Sequence, residues 1–311
     1  MEAEERGIRP ERNRRVQTRE ELLMVLGRER VELKTLEQVR VMRRAGLVVA
    51  DVLAAVSAAA RPGVTTADLD DVARGVIAAG GATSSFLGYH GFPATICTSV
   101  NDEVIHGIPG PRVLQAGDVV SVDAGAVVDG WHGDSATTFV LGADGALPPG
   151  SPEADADDDA LVRATEAAMW AGIAALAPKG RLNDVGRAVE TAVEIASAAS
   201  GVPFGIVEEY VGHGIGSAMH QPPDVLNYAT SGRGQALKTG MCLAVEPMVT
   251  RGSGATRELA DGWTVVTTDG SRSAHWEHSV AILADGITVL TAPDGGAERL
   301  AALGVDVIRL D

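Results

Sequence analysis

The sequence predicts a mixed α/β (α+β) fold made of two related halves, each a pair of helices followed by a set of strands. Three observations carry this expectation. Apolar residues recur at helical spacing over two stretches in each half, and a Pro/Gly-bearing turn separates the helices of each pair. The β-rich runs that follow also repeat, at an offset of roughly 115 residues.

The first helix is expected from Leu36, where Val39, Met42, Gly46, Val49, Leu53 and Val56 recur at three- and four-residue steps. Pro62-Gly63 stops it, and Thr65/Thr66 then stand at the N-cap of a second helix, Ala67–Ala79. Strand-like sequence follows Gly80-Gly81. In the second half, Leu161–Leu176 and Asn183–Ala199 read as helices separated by Pro178-Lys179-Gly180, with strand-like runs at Gly240–Thr250 and Trp263–Leu283. Between the halves, Ala143–Ala160 holds Pro148, Pro149, Pro152 and the acidic run Glu153–Asp159, and is expected to be an exposed, mobile loop. Residues 1–35, with a short helix at Glu20–Arg30, are expected to form an N-terminal arm. Residues 36–292 are expected to form the main domain and 293–311 a C-terminal tail.

Composition narrows the class. An apolar fraction of 45% supports a real core. The formal charge of −16, with only three lysines, repels nucleic acid and anionic membranes, so neither is an expected partner. The first thirty residues hold eight arginines, but seven glutamates interleave with them, as in a solvated, salt-laced arm. Two cysteines, Cys97 and Cys242, make no disulfide framework. No run approaches the roughly 20 apolar residues of a membrane span, and Leu22–Leu26 is too short for a signal core. The expectation is a soluble protein of a reducing cytoplasm.

Five residues stand out chemically. Asp118–Gly125 and Gly133–Val140 are β-rich, and Asp129-Gly130 between them is a hairpin signal. With 129 and 130 as the loop, Asp123 faces Ala136 and Asp134 faces Gly125. The two carboxylates then share a face, roughly 7–8 Å apart at Cα, and repel unless something positive lies between them. His213 sits among Gly212, Gly214 and Gly216, which let backbone approach a ligand closely. Glu246 follows Leu243-Ala244-Val245 and precedes Pro247, a strand-edge or bulge signal. Glu277 lies in a further strand-like run. A solvated hairpin face or a plain turn histidine would explain single members; two separate strands each carrying an inward acid weaken that explanation. Four carboxylates and one imidazole suit Mn, Fe or Co and can hold Zn, and so much negative charge favours two ions over one.

At this point the sequence resembles a known family. Phe86–Pro93, Val104–Pro109, Val122–Gly125, Trp131–Asp134, Gly212–Gly216, Val245–Met248 and His275–His278 look, in order and spacing, like motifs of type I methionine aminopeptidases, from about residue 36 to 292. The lysine-poor composition is similar to actinobacterial members. The resemblance implies a pita-bread fold, two α/β halves about a pseudo-twofold axis. It implies metal-dependent removal of the initiator methionine from nascent polypeptides, with a small second residue preferred. It makes Asp123, Asp134, His213, Glu246 and Glu277 the metal ligands: Asp134 and Glu277 bridge both ions, Asp123 holds one, and His213 with Glu246 holds the other. Glu246 would be the base, His106 would stand near the substrate amine, and His220 would polarise the scissile carbonyl. Phe86, Tyr89, Phe92, Met219 and Trp263 would bind the methionine side chain. Asn101 and Ser273 match positions near a monovalent cation. Transient ribosome association and a monomeric state are expected.

Departures are few. Phe86 replaces a cysteine at the pocket rim, Met219 stands where phenylalanine is frequent, and the Ala143–Ala160 loop is longer. The arm lacks the Cys/His set of zinc fingers. A proline-specific peptidase would use the same five ligands but needs a large N-terminal domain. A non-catalytic binding module of this fold would lose ligands, and all five are here.

Overall fold

The computed structural model describes residues 31–177 and 180–310. The helix expected at Glu20–Arg30, and Pro178-Lys179, lie outside them. In chain order the helices are α1 (Leu36–Ala59), α2 (Thr66–Ala79), α3 (Ala156–Ala174), α4 (Asn183–Ser200) and α5 (Ala297–Ala301). The strands are β1 (Thr83–Ser84), β2 (Ile96–Val100), β3 (Glu103–Ile105), β4 (Val119–Val128), β5 (Trp131–Val140), β6 (Gly205–Ile206), β7 (Gly212–Gly214) and β8 (Gln221–Val225). They continue as β9 (Cys242–Val245), β10 (Met248–Thr250), β11 (Thr256–Glu258), β12 (Val265–Thr267), β13 (Ser273–His275), β14 (Glu277–Ile282) and β15 (Ile287–Val289).

Local chemistry sets the helix limits. Thr35 caps α1 in a reciprocal box with Gln38, and Thr65 caps α2 in the same way with Asp68. Every member of the periodic stripe from Val39 to Val56 is buried. One member is Gly46, because α1 crosses the sheet there: a Cβ at Gly46 would lie 2.3 Å from the Leu290 carbonyl oxygen, and one at Gly133 would lie 2.7 Å from the Gly46 nitrogen. A side chain at either position would force the layers apart.

Among the described residues, nine strands form one antiparallel sheet in the order β1-β4-β5-β14-β9-β7-β8, with β2 beside β4 and β15 beside β14. Two three-stranded sheets, β13-β10-β6 and β11-β12-β3, complete the strand set. The first helix pair packs with Val120, Val122, Ala124 and Ala126 of β4, and the second pair packs with Leu243, Val245, Val280 and Ile282. Each half therefore has its own core, and the β5–β14 and β3–β12 pairings join them.

Several expectations change. The acidic run is not a loop throughout: α3 begins at Ala156 with Asp155 as its cap, so Asp157, Asp158 and Asp159 form the first helical turn. Acidic side chains are favoured there by the helix dipole. Asp158 is 1% exposed and pairs with Arg251 and Arg272, the residues just after β10 and just before β13. The run Gly240–Thr250 is split at Glu246-Pro247, and Trp263–Leu283 becomes three strands. Over 293–310 the expected tail is packed: Leu300 is fully buried, and Ile308 donates its N–H to Ile287 at 2.9 Å. No described helix is long and apolar enough to cross a membrane.

Candidate metal centre and active site

Strand alternation brings the five donors to one face. On β4, Val120, Val122, Ala124 and Ala126 point to the helices, so Asp123 points the other way. The β4–β5 register pairs Asp123 with Ala136 and Gly125 with Asp134, as the hairpin predicts. Asp129 (φ 49°) and Gly130 (φ 79°) supply the two left-handed residues of that turn. Glu277 pairs with Ala136 on the Asp123 side. Leu243 and Val245 face the second helix pair, which turns Ala244 and Glu246 to the site. Gly214 pairs with Leu243, so its neighbour His213 also faces the site.

The glycines around His213 have another reason than ligand approach. A Cβ at Gly212 would lie 2.4 Å from the Ala244 carbonyl oxygen, and one at Gly214 would lie 2.3 Å from that of Pro222. They let β7 fit between β8 and β9.

One donor atom each from Asp134, His213 and Glu277 lies within 4.8 Å of the others, and all three residues are buried. Glu246 Oε1 is 3.3 Å from His213 Nε2. Asp123 Oδ1, Asp134 Oδ1, Glu277 Oε1 and His275 Nε2 are buried without a hydrogen-bond partner among the described residues. Unpartnered buried acceptors are costly. Desolvation pushes the carboxyls of Asp123, Asp134, Glu246 and Glu277 upward, and for Asp134 and Glu277 the neighbouring carboxylates add to it. Divalent cations satisfy such a set. The tautomer of His213 agrees: Nδ1 lies 3.0 Å from the Gly214 carbonyl oxygen and donates to it, leaving the Nε2 lone pair directed at Glu246. Burial, then the nearby His220, holds this ring down at about 3, so it is neutral and able to ligate.

A cavity of about 160 Å³ lies over the donors. All twelve residues expected in the site line it: Phe86, Tyr89, Phe92, His106, Asp123, Asp134, His213, Met219, His220, Glu246, Trp263 and Glu277. Phe92 meets Trp263 edge-on at 5.0 Å and Phe86 at 6.4 Å, so this wall is aromatic and apolar. The Tyr89 hydroxyl lies 2.9 Å from His220 Nδ1. His106 has φ 60°, a strained value that only a well-determined site sustains. Burial, then His275 and His220, lowers it to about 4. Asn101 and Ser273 lie together away from this lining, where the Ser273 N–H donates to the Asn101 carbonyl at 2.9 Å.

Three lining residues escaped the sequence reading: Cys97, Ile105 and His275. Cys97 pairs with Asp123 across β2 and β4, a register no turn signal announces. Burial pushes its thiol well above the usual range, so it is no thiolate. Alternation from Glu277 back to His275 was available as a signal. Glu32, ahead of α1, also bears on the site. It accepts from Ser217 N–H (3.1 Å), Ser217 Oγ (2.7 Å) and Gln221 Nε2 (2.9 Å), tying down the segment that carries Met219 and His220. Lys34, almost fully buried, lies 3.3 Å from the same carboxylate.

An oxygen-rich donor set with one imidazole, sunk under a small apolar cavity, is the centre of a metallohydrolase. Residues 40–284 match the model of metallopeptidase family M24, and the chain belongs to that family. Within it the similarity is to methionine aminopeptidases. Methionine aminopeptidase 1 of Mycobacterium tuberculosis is 49% identical over 87% of this chain and 98% of that protein. Methionine aminopeptidase 1 of Bacillus subtilis is 42% identical over 83% and 98%. The crystal structure of methionine aminopeptidase from Rickettsia prowazekii superposes with a TM-score of 0.77 at 35% identity, over 85% of this chain and 100% of that one. The fold is thus the pita-bread fold. Prolidase from Pyrococcus furiosus shares the fold alone, with a TM-score of 0.63 at 17% identity; the match covers 84% of this chain and 65% of that one.

Proposed function

We propose that the chain hydrolyses the peptide bond after an N-terminal methionine. Asp123, Asp134, His213, Glu246 and Glu277 would hold two divalent ions drawn from Co, Mn, Fe and Zn. The observation that carries this reading is the meeting of buried, unpartnered donors with an enclosed aromatic pocket. When bound, the ions supply Lewis-acid polarisation and acidify a water toward neutrality.

Glu246, which lines the cavity among the other donors, accepts the proton of the attacking water. With the Tyr89 hydroxyl donating to His220 Nδ1, His220 Nε2 keeps its proton and donates a hydrogen bond to the scissile carbonyl oxygen as charge develops there, and the proton taken up by Glu246 passes to the leaving nitrogen as the bond breaks. His106, neutral, stands by the substrate amine and the leaving nitrogen. Phe86, Tyr89, Phe92, Met219 and Trp263 enclose the methionine thioether. A lysine or glutamate side chain there would be desolvated unpaired. Substrates would be the N-termini of nascent polypeptides, met in the cytoplasm by a monomer transiently associated with the ribosome. A monovalent cation near Asn101 and Ser273 belongs to the same reading.

The test compares Met-Gly, Met-Ala, Met-Glu and Leu-Gly peptides with the protein loaded with Co or Mn. Met-Gly and Met-Ala should be cleaved far faster than Met-Glu, and leucine should cost roughly 1–3 kcal/mol. Comparable kcat/KM across all four refutes the assignment.

A further inference from the structure

We propose that His275 is a positioning residue of the metal centre, its Nε2 holding the outer carboxylate oxygen of Glu246. This rests on the reading above and adds a residue that the reading does not use.

The argument begins with place. β13 ends at His275 and β14 begins at Glu277, while Trp276 between them packs against the helix-side cores. His275 pairs with Met248, in the strand that resumes after Glu246-Pro247. The break that aims Glu246 at the site therefore lies beside the strand end that aims His275 there.

The atoms agree. His275 is 2% exposed, and its Nε2 has no hydrogen-bond partner among the described residues. The same nitrogen is 3.6 Å from Glu246 Oε2, while the other oxygen, Oε1, lies 3.3 Å from His213 Nε2. His213 cannot donate there, because its N–H is already given to Gly214 through Nδ1. Asn227 holds the Glu246 backbone carbonyl at 3.1 Å, which leaves the carboxylate itself free to turn. His275 is the ring placed to stop that turn.

The terminal carboxylate torsion is soft and nearly twofold. Without a donor, either oxygen can face the His213 side. An N–H on Oε2 keeps Oε1 on that side and presents Oε2 in a fixed direction. The separation is longer than a formed hydrogen bond, as is common in sites that tighten only when loaded. Donors to metal-binding carboxylates of this kind change affinity or activity by about 10–100-fold.

The experiment uses the full chain as His275→Ala and His275→Gln, with Glu277→Gln as a control on the centre. Co(II) binding is measured by calorimetry, the Co(II)-loaded protein by its ligand-field absorption, and kcat and KM on a Met-Ala-Ser peptide. His275→Ala should bind the same number of Co(II) equivalents, show a changed ligand-field spectrum, and lose kcat by about 10–100-fold with KM little altered. His275→Gln, whose amide N–H can reach the same oxygen, should recover the wild-type spectrum and most of kcat. A His275→Ala protein with wild-type spectrum and kcat overturns the proposal. So does loss of one Co(II) equivalent that His275→Gln fails to restore, since His275 would then be a ligand itself. Melting temperatures identify a variant that misfolds; if His275→Ala does, His275→Gln decides alone, and a wild-type Co(II) count with the altered spectrum and a kcat loss as large as that expected for alanine overturns the role. Full metal binding and turnover by Glu277→Gln would count against the centre as a whole, not against His275.

Discussion

Replacing Glu32 with alanine should loosen the active site from outside it. Three hydrogen bonds from Ser217 and Gln221 end on its carboxylate. Bonds to a charged group contribute about 1.5–3 kcal/mol each when buried. This side chain is 33% exposed, so solvent screening reduces the three together to roughly 1–2 kcal/mol. Lys34 would lose its anionic partner and keep only the Glu32 carbonyl at 3.2 Å. If the displacement of Met219 and His220 is felt mainly in the transition state, kcat/KM should fall about 10-fold. The same carboxyl gives a pH test. Burial raises it, but the bonds from Gln221 and Ser217 outweigh burial and hold it at about 2, against the ordinary 4.5. Its contribution is therefore complete above the ordinary value and disappears as pH falls toward 2. In Glu32→Ala that part of the acid dependence of the melting temperature should vanish. Peptide turnover and calorimetry read both effects, and wild-type kcat/KM with a wild-type melting curve would refute the argument. Two truncations sharpen it: removal of residues 1–35 should cost more activity than removal of residues 1–30, because Glu32 and Lys34 lie between the two cuts.

Three further outcomes follow from the site and its supports. Chelation should abolish peptide cleavage and added Co or Mn restore it, whereas Asp134→Asn should stay folded and inactive under the same treatment. Tyr89→Phe should lower kcat about tenfold with little change in KM, because His220 loses the hydroxyl that sets its tautomer; steady-state kinetics read this directly. Asp158→Asn breaks a buried charge pair, which costs about 3–5 kcal/mol when both partners are enclosed. Arg251 is about a quarter exposed and keeps Asp155 and Asp157, and Arg272 keeps the Gly117 carbonyl, so roughly 2 kcal/mol is expected. A calorimetric melting temperature lower by about 3 °C with unchanged metal content would match that value.

Much of this was legible because short-range rules governed it. Helix periodicity located α1, α2 and α4 within a residue or two of their ends, and one turn dipeptide fixed the register that sets Asp123 opposite Ala136. What was missed depended on distant partners. The acidic run reads as a loop until Arg251 and Arg272 arrive from strands about ninety or more residues later to neutralise it. Cys97 enters the site through a strand pairing that no local signal encodes. His275 is found by counting back two residues from Glu277, but His278, on the other side of Glu277, is as good a candidate by residue type. The structure separates them: His278 turns to the helix side, with its ring 5.0 Å from that of Trp170.

The β5–β14 junction carries a consequence for how the molecule is completed. Asp123 and Asp134 belong to the first half of the chain, whereas His213, Glu246 and Glu277 belong to the second, and the pairing of β5 with β14 brings the two groups onto one sheet. During synthesis the first half emerges with only two of the five candidate donors, both of them carboxylates. Capture of metal by the full donor set would therefore come late, once one half has docked on the other. In the finished protein a metal held by Asp134, His213 and Glu277 would act as a rivet across that seam, so that parting the halves breaks up the donor set.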